Sequence, residues 1–307
     1  MRENRNEFLQ SRLQRPQGIA DAVLDTDAYN EIDDQFALSY LIRSPEKVHL
    51  EAIYAAPFHN RKSSGPADGM EKSYREIFTV LSRNGAEYYN QYHEKVFCGS
   101  TAYMADEHSP IESAAARDLI RRAMGREEPL YVIAIGAITN IASALLLEPE
   151  LREKIVVIWL GGHSLDWDHT DEFNMKQDIA AARVVFGSGV PLVLVPCMGV
   201  ASAFTTTGPE LEFWLRGRNA LCDYLCDITE AEAKGDGQGE LWSRPIWDVT
   251  AAGWLVCGEA MYDRFEPCPI PEYDHHYAID RTRPLIRYVY GINRDRLMTD
   301  LFHKLVK

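Results

Sequence analysis

Five acidic side chains fall within ten residues near the N-terminus, directly after an apolar stretch. They are Asp25, Asp27, Glu31, Asp33 and Asp34. Carboxylates crowded in this way repel one another unless a cation or shared protons relieve the repulsion. A divalent metal is the chemistry that this segment indicates, because carboxylate oxygens are the hard ligands that Ca²⁺ and Mg²⁺ prefer.

The residues on either side place these carboxylates at a turn between a strand and a helix. Residues 19–24 are predicted to form a strand, and apolar side chains recur at helical spacing from Phe36 to Ile42. In an α/β sheet, ligands usually bind where such a strand ends. We therefore expect the acidic turn to lie in a ligand site at the edge of a sheet.

The acidic turn has three other possible interpretations. An EF-hand loop is excluded, because it requires Gly at its sixth position and Glu at its twelfth, where counting from Asp25 gives Asn30 and Phe36. A solvated helix N-terminus, stabilised by the helix dipole, remains an alternative. Asp25-Thr26-Asp27 also resembles the first motif of the haloacid-dehalogenase phosphatases, although the Gly and Thr that follow there are absent. A magnesium-dependent phosphatase using Asp25 as nucleophile therefore also remains open.

Composition excludes several classes of function. The chain has 307 residues, of which 46% are hydrophobic and 25% charged, as in soluble globular proteins. The formal charge of −14 disfavours binding to nucleic acid or to an anionic membrane. The six cysteines form no Cys-x-x-Cys pair, and residues 1–17 lack the apolar core of a signal peptide. We expect reduced thiols and a cytoplasmic protein.

Strands and helices are predicted to alternate along the chain. Further strands are expected at 48–54, 131–135, 155–160 and 191–195. Helices are expected at 69–83, 111–124, 139–147, 177–186 and 210–233, with a loop at 233–240 and another helix from near Asp248. This alternation predicts an α/β fold with a mostly parallel, doubly wound sheet flanked by helices. Residues 19–307 are expected to form one domain, preceded by a polar N-terminal arm at 1–18.

Four motifs, in order along the chain, resemble those of the inosine-uridine nucleoside hydrolase family. The first is Asp25-Thr26-Asp27 followed by Asp33-Asp34-x-x-Ala-Leu. The others are the Gly-Ala-Ile-Thr-Asn-Ile-Ala turn at 136–142, Gly161-Gly162 with Glu172-Phe173-Asn174 and Asp178, and Trp247-Asp248 at the start of a late helix. The resemblance covers about residues 19–256, and the shared order makes it specific. It implies a nucleoside hydrolase-like α/β fold.

Residue by residue, the resemblance implies a calcium site and a ribose site. The calcium ligands would be Asp27, both carboxylate oxygens of Asp34, the main-chain carbonyl of Ile135 and Asp248. The ribose hydroxyls would be bound by Asp33, Glu172 and Asn174, with Asn60 as a looser counterpart of a family asparagine. Asp25 would not bind the metal itself but would orient the acidic turn that carries the ligands.

The implied reaction is calcium-dependent hydrolysis of the N-glycosidic bond of a nucleoside, giving free base and ribose for salvage. A metal-bound water would attack the anomeric carbon through an oxocarbenium-like transition state, with Asp27 as general base. The expected partners are a small nucleoside substrate and further copies of the chain, as a homodimer or homotetramer. A non-catalytic ribosyl-binding protein of the same fold remains the alternative.

The sequence departs from the family at two places. Residues 28–31 replace a Pro-Gly pair, so that the distance from Asp27 to Asp33 is two residues longer, and Asn30 or Glu31 could enter the site or lie outside it. Trp247 stands where some members have a His that assists the leaving base, and would instead stack on a purine. The candidate replacement acids are His163, Asp166 and His169. Thr139 and Asn140 are expected mainly to cap a helix.

Overall fold

The computed structural model describes residues 2–235 and 241–307. Its strands in chain order are β1 (Ala20–Thr26), β2 (Val48–Ala55), β3 (Val96–Cys98), β4 (Leu130–Ala134), β5 (Ile155–Leu160), β6 (Leu192–Val195), β7 (Thr205–Thr207), β8 (Ser243–Pro245), β9 (Met261–Pro267), β10 (Ile270–Pro271), β11 (Tyr277–Ala278) and β12 (Leu285–Ile292). Its helices are α1 (Arg2–Arg12), α2 (Asp33–Ile42), α3 (Pro66–Asn84), α4 (Ala86–Tyr92), α5 (Ala114–Met124), α6 (Thr139–Leu147), α7 (Phe173–Gln177), α8 (Ile179–Ser188), α9 (Gly208–Trp214), α10 (Ala220–Gly235), α11 (Val249–Val256) and α12 (Arg294–Leu305).

The central sheet has eight strands in the order β3-β2-β1-β4-β5-β6-β12-β9. Neighbouring strands are parallel except for β12 and β9, which are antiparallel. The predicted mostly parallel, doubly wound sheet is thus confirmed. The strand order reverses between β1 and β4, and in such sheets the crevice at the carboxyl ends of these strands is the usual place for a ligand.

Both faces of the sheet are covered by helices and buried. Neighbouring residues of a strand point to opposite faces, so both sets of side chains lie in a core. In β1, Leu24 packs into the core shared with α2, α11 and α12, whereas Val23 packs into the core shared with α5, α6 and α8. These strands therefore consist of nearly continuous apolar residues. Polar side chains appear where β1 ends, at the turn that leads to α2.

Several predicted elements differ from the structure. The prediction of a single helix at 210–233 is wrong, since this segment forms the two helices α9 and α10. The chain turns between them at Gly217, whose φ of +73° is a conformation that suits glycine. Helix α5 begins at Ala114, because the side chain of Ser113 caps it. The predicted loop at 233–240 begins within α10, and its residues 236–240 lie outside the described part of the chain.

The N-terminal segment predicted as a polar arm forms α1, which packs beside β12. Leu9 and Leu13 are buried, and the Arg5 guanidinium lies 2.6 Å from a carboxylate oxygen of Glu153. Arg15 donates to the carbonyl of Met261 at 2.8 Å. The segment is therefore held against the sheet by apolar and ionic contacts.

Two composition-based expectations can be compared with the described residues. The six cysteines are free, and Cys222 and Cys226 are buried on α10, as their spacing on one helical face predicts. None of the helices described by the structure combines the length and the apolar character that crossing a membrane would need.

Candidate active site

A cavity of about 250 Å³ opens beyond the carboxyl ends of β1 and β4. Its wall is strongly acidic, with carboxylates from Asp27, Glu31, Asp33, Asp34, Asp171, Glu172 and Asp248. These side chains come from segments far apart in sequence, which the reversal of strand order brings together. Carboxylates gathered in one concave site are a candidate metal and catalytic centre.

The backbone after β1 and β4 sets the floor of the cavity. The amide of Ile135 donates to the carbonyl of Asp25 at 2.9 Å, which extends the pairing of the two strands by one residue. A Cβ on Gly136 would lie 3.1 Å from the Oδ1 atom of Asp27. Glycine at this position therefore lets the turn after β4 approach the Asp27 carboxylate closely.

Three carboxylates form the tightest cluster in the cavity. Asp33, Asp34 and Asp248 each offer one oxygen, and these oxygens lie within 4.8 Å of one another. The amide of Asp248 donates to Oδ2 of Asp33 at 3.1 Å, and the hydroxyl of Thr26 donates to Oδ1 of Asp34. Asp27 lines the same cavity outside this trio, and its buried Oδ2 has no hydrogen-bond partner among the described residues.

The electrostatics of this cluster call for a cation. Burial, with repulsion from neighbouring carboxylates, raises the pKa of Asp33 and of Asp34 to about 7. The same causes raise the pKa of Asp27 and Asp248 well above their usual range. A hard divalent cation would fit these oxygen donors, since its charge would remove the repulsion between the carboxylates. The donor set thus fits the metal that the sequence predicts.

Asp25 lies beneath the cavity and does not line it. Its side chain is fully buried, and the amide nitrogen of Asn140 donates to its Oδ1 at 2.7 Å. The amide oxygen of Asn140 in turn accepts from the backbone of Ser100 at 2.7 Å. A carboxylate that does not line the cavity cannot attack a phosphate bound there, so this placement contradicts the phosphatase interpretation.

The prediction that Thr139 and Asn140 cap a helix is wrong. The N-cap of α6 is Ile138, and Thr139 and Asn140 lie in the first turn of the helix. Thr139 donates to Oδ2 of Asp178 at 2.7 Å, and Asp178 itself caps α8 by accepting from the amide of Ala181 at 2.9 Å. The two side chains therefore connect α6 to other elements through buried carboxylates.

Glu172 and Asn174 lie at the start of the short helix α7. The Glu172 carboxylate accepts from the amides of Asn174 and Met175, both at 2.9 Å, and from that of Gly162 at 2.8 Å. Burial raises the pKa of Glu172 to about 7. The amide nitrogen of Asn174 lies 3.3 Å from the carbonyl oxygen of Ile135, and both residues line the cavity. Because Glu172 caps α7 through these hydrogen bonds, the side chains of Glu172 and Asn174 are held in fixed positions.

Residues 28–31, which make the acidic turn two residues longer than in the family, bring two side chains into the cavity. Asn30 and Glu31 line it, whereas Tyr29 is 43% exposed on the outside. Glu31 accepts from Arg244 at 2.9 Å, and burial together with repulsion from Asp33 raises the pKa of Glu31 to about 7. The sequence could not decide whether Asn30 and Glu31 enter the site, and the structure shows that both line the cavity.

Asn60, predicted to bind substrate, is not among the residues that line the cavity. Its side-chain nitrogen donates to Oδ1 of Asn30 at 2.7 Å. The longer turn places Asn30 between Asn60 and the cavity. Asn60 thus contacts the lining residue Asn30 but does not itself line the cavity.

Trp247 lines the cavity beside Arg244. The guanidinium carbon of Arg244 lies 5.4 Å from the centre of the Trp247 ring, within the range of a cation–π interaction. The ring nitrogen of Trp247 is buried and has no hydrogen-bond partner among the described residues. Trp247 thus gives the cavity an aromatic wall.

Of the three candidate acids, His163 lines the cavity, whereas Asp166 and His169 do not. The loop turns outward after Ser164, whose hydroxyl accepts from the Asp166 amide at 3.2 Å, and the Asp166 side chain is exposed. The His163 Nδ1 accepts from the amide of Met198 at 3.3 Å, so its Nε2 carries the proton of the neutral ring. Burial lowers the pKa of His163, with a further contribution from His169.

Sequence reasoning missed several residues of the site. Lys176 and Asp171 line the cavity and form an ion pair of 3.1 Å; their positions next to the Glu-Phe-Asn motif are the signal that could have indicated them. Cys197 follows the end of β6, where the same strand-end argument applies. Arg244 had no such signal, because its partner Glu31 is 213 positions away in the chain.

Comparison with known proteins gives consistent results for sequence and structure. The sequence of the pyrimidine-specific ribonucleoside hydrolase RihA of Enterobacter sp. (strain 638) is 35% identical over 156 residues, which are 48% of this chain and 48% of that protein. The matched part therefore spans about half the length of this curated relative. A probable uridine nucleosidase 2 of Arabidopsis thaliana is 24% identical over 222 residues, 68% of each chain.

Solved structures share the fold over nearly the whole chain. The purine-preferring ribonucleoside hydrolase from Gardnerella vaginalis superposes with a TM-score of 0.73 at 20% identity, covering 93% of this chain and 98% of that one. The family described as inosine-uridine preferring nucleoside hydrolase matches residues 22–283, which include the acidic turn, Asn140, Glu172 and Asp248. The chain belongs to the inosine-uridine preferring nucleoside hydrolase family.

Proposed function

We propose that this protein is a calcium-dependent ribonucleoside hydrolase that releases a free base and ribose. Membership of the nucleoside hydrolase family supports hydrolysis of the N-glycosidic bond as the class of reaction. The single observation that best supports the proposal is the buried aspartate cluster at the reversal of strand order, beside an Asp27 oxygen that has no hydrogen-bond partner among the described residues.

The proposed calcium ligands are Asp27, Asp34, Asp248 and the carbonyl of Ile135, all of which line the cavity. When bound, calcium would neutralise the crowded carboxylates and make a nearby water more acidic. With both oxygens of Asp34, these four residues supply about five oxygen donors, fewer than the six to eight that calcium takes, which leaves room for water and for substrate hydroxyls.

Asp27 is the proposed general base. Its Oδ2 would accept a proton from the water that attacks the anomeric carbon, while the electron pair of the glycosidic bond moves to the departing base. No hydrogen bond within the described residues competes for this oxygen. The departing base needs a proton or hydrogen bonds, and the Nε2–H group of His163 is the donor we propose among the three earlier candidates.

The remaining polar residues would position the substrate. Asp33 and Asn174 lie next to proposed calcium ligands. The Asp33 carboxylate accepts from the backbone amide of Asp248 at 3.1 Å, and the side-chain amide of Asn174 donates to the carbonyl of Ile135 at 3.3 Å. They would bind ribose hydroxyls together with Glu172, whose carboxylate is already aligned by three backbone amides. Trp247 would stack on the base. The relatives described above are named for either pyrimidines or purines.

A reducing-sugar assay tests the proposal directly. Purified protein is incubated with inosine, uridine, adenosine and cytidine, in calcium and after chelation with EGTA. We expect release of ribose from at least one nucleoside in calcium and a loss of activity in EGTA that added calcium reverses. Thermal stabilisation by a nucleoside without any product would instead support the non-catalytic binding protein.

A further inference from the structure

The four residues that replace Pro-Gly in the acidic turn form a feature that the proposed reaction does not use. Two of them, Asn30 and Glu31, line the cavity. We propose that Asn30 and Glu31 determine which base this enzyme accepts, by hydrogen-bonding to a base edge that presents a carbonyl next to a ring N–H. This inference rests on the proposed function, since it assigns these residues to the leaving base of that reaction.

The orientation of the Asn30 amide follows from a chain of hydrogen bonds. The backbone N–H of Lys62 can only donate, so the atom of Asn60 that it contacts at 2.8 Å is the amide oxygen. The other end of Asn60 is then the nitrogen, which donates to Asn30 at 2.7 Å. The contacted atom of Asn30 must therefore be its oxygen, and its NH₂ group is left to donate to a ligand in the cavity.

Glu31 supplies the complementary acceptor. Arg244 donates to its Oε2 at 2.9 Å, and only 10% of the Arg244 side chain is exposed. The ion pair restricts the carboxylate to one position at the cavity wall, and a carboxylate has about four acceptor positions, so that Arg244 does not exhaust them. Neighbouring residues of the turn thus offer one donor and one charged acceptor.

Arg244 connects Glu31 to Trp247, the residue on which the base is proposed to stack. Arg244 lies over the ring of Trp247, so Glu31, Arg244 and Trp247 are neighbours. A base that stacks on Trp247 would direct its polar edge toward Asn30 and Glu31. A carbonyl matches the Asn30 NH₂ group and a ring N–H matches the carboxylate, whereas an unprotonated ring nitrogen would turn its lone pair toward the carboxylate and be repelled.

Methylation of the ring nitrogen provides the test. We expect the wild-type enzyme in calcium to show a kcat/KM for 1-methylinosine at least about tenfold below that for inosine, because a hydrogen bond to a charged group is lost. Glu31→Gln keeps the size of the side chain and removes its charge. If the carboxylate causes the discrimination, the ratio of kcat/KM for inosine to kcat/KM for 1-methylinosine should fall to about threefold or less in this variant. A purely steric effect of the methyl group would leave this ratio unchanged. In Glu31→Ala we expect nearly equal rates.

Tyr29→Phe is the matched control, because Tyr29 belongs to the same four residues and points away from the cavity. We expect it to keep the wild-type ratio. Binding of hypoxanthine and 1-methylhypoxanthine, measured by calorimetry with calcium present, gives a second readout that needs no turnover. An absence of hydrolysis would count against the proposed function, while the binding ratio would still test Glu31. Equal wild-type and Glu31→Gln ratios in both measurements would overturn the inference.

Discussion

The carboxylates of the cavity differ in how many groups of the chain contact them. Asp34 accepts from Thr26, and Asp33 accepts from the backbone of Asp248, whereas Oδ2 of Asp27 has no partner among the described residues. A carboxylate oxygen that is already bonded is a poor proton acceptor, and one without a bond is available for that role. The contacts therefore support the proposal that Asp27, unlike Asp33 and Asp34, accepts a proton in the reaction.

This difference predicts that two substitutions will fail in different ways. Asp27→Asn keeps the side-chain size and an oxygen for the metal but removes the base, so we expect kcat to fall by about 10²- to 10⁴-fold with calcium still bound. Asp34→Ala removes a ligand, and we expect the loss of measurable calcium binding together with activity. Calorimetry and steady-state kinetics measure the two effects. Wild-type calcium affinity in Asp34→Ala would show that the ligands are assigned incorrectly.

At the level of elements, the first turn of α6 connects the parts of the fold that surround the acidic turn. Asn140 is 1% exposed and contacts Asp25 at the end of β1 and the backbone of Ser100 beyond β3. Thr139 contacts the Asp178 cap of α8. A helix N-terminus that binds buried carboxylates in this way fixes the positions of neighbouring strand ends, because a buried polar group is costly to leave without a partner.

Asn140→Asp tests the importance of this contact with almost no change in shape. The substitution places a second carboxylate oxygen where the amide nitrogen now lies 2.7 Å from Asp25. We expect the free energy of unfolding, measured with urea at pH 7.5, to fall by about 2–3 kcal/mol, since a hydrogen bond is replaced by repulsion. Asn90→Asp on α4, where the side chain is exposed, is the control and should change stability by no more than about 0.5 kcal/mol. Equal effects of the two substitutions would contradict the assigned role.

For the molecule as a whole, the fold concentrates negative charge at a buried site in a chain whose net charge is already −14. The pKa of Asp25, Asp33 and Asp34 is raised to about 7, so the metal-free folded state holds protons that the unfolded chain would release. Their contribution to stability is present below about pH 4 and is lost as the pH rises through about 7. A bound cation would supply at neutral pH the counter-charge that protons supply in acid.

We therefore expect the effect of calcium on stability to depend on pH. The midpoint of thermal unfolding should be higher in calcium than in EGTA at pH 7.5, by several degrees if calcium is present at about 100 times its Kd. At pH 5 the difference should shrink, because calcium must then displace protons from the carboxylates. Asp34→Ala, which lacks a proposed ligand, should show little difference at either pH. A calcium effect of equal size at both pH values would be inconsistent with binding at this cluster.

Local sequence patterns determined the framework of this protein. The apolar strand before Asp25, the helical spacing after Asp34 and the alternation of later strands and helices predict the sheet and the position of the acidic turn at its edge. These features depend on residues close together in the chain, through backbone conformation and the burial of one face, and can be inferred from spacing. The motifs around Glu172 and Asp248 are equally local, and their resemblance to the motifs of the family is the reason to expect them in the same cavity.

Contacts between distant segments were decided only by the tertiary structure. Asn140 reaches Asp25 across 115 positions and Arg244 reaches Glu31 across 213, and neither pairing leaves a periodic signal in the sequence. The outward turn of Asp166 and the position of Asn60 behind Asn30 likewise depend on how loops pack. Sequence thus determined which residue types stand at the strand ends, whereas packing decided which of their atoms remain available to a ligand, because that availability depends on partners supplied by the rest of the fold.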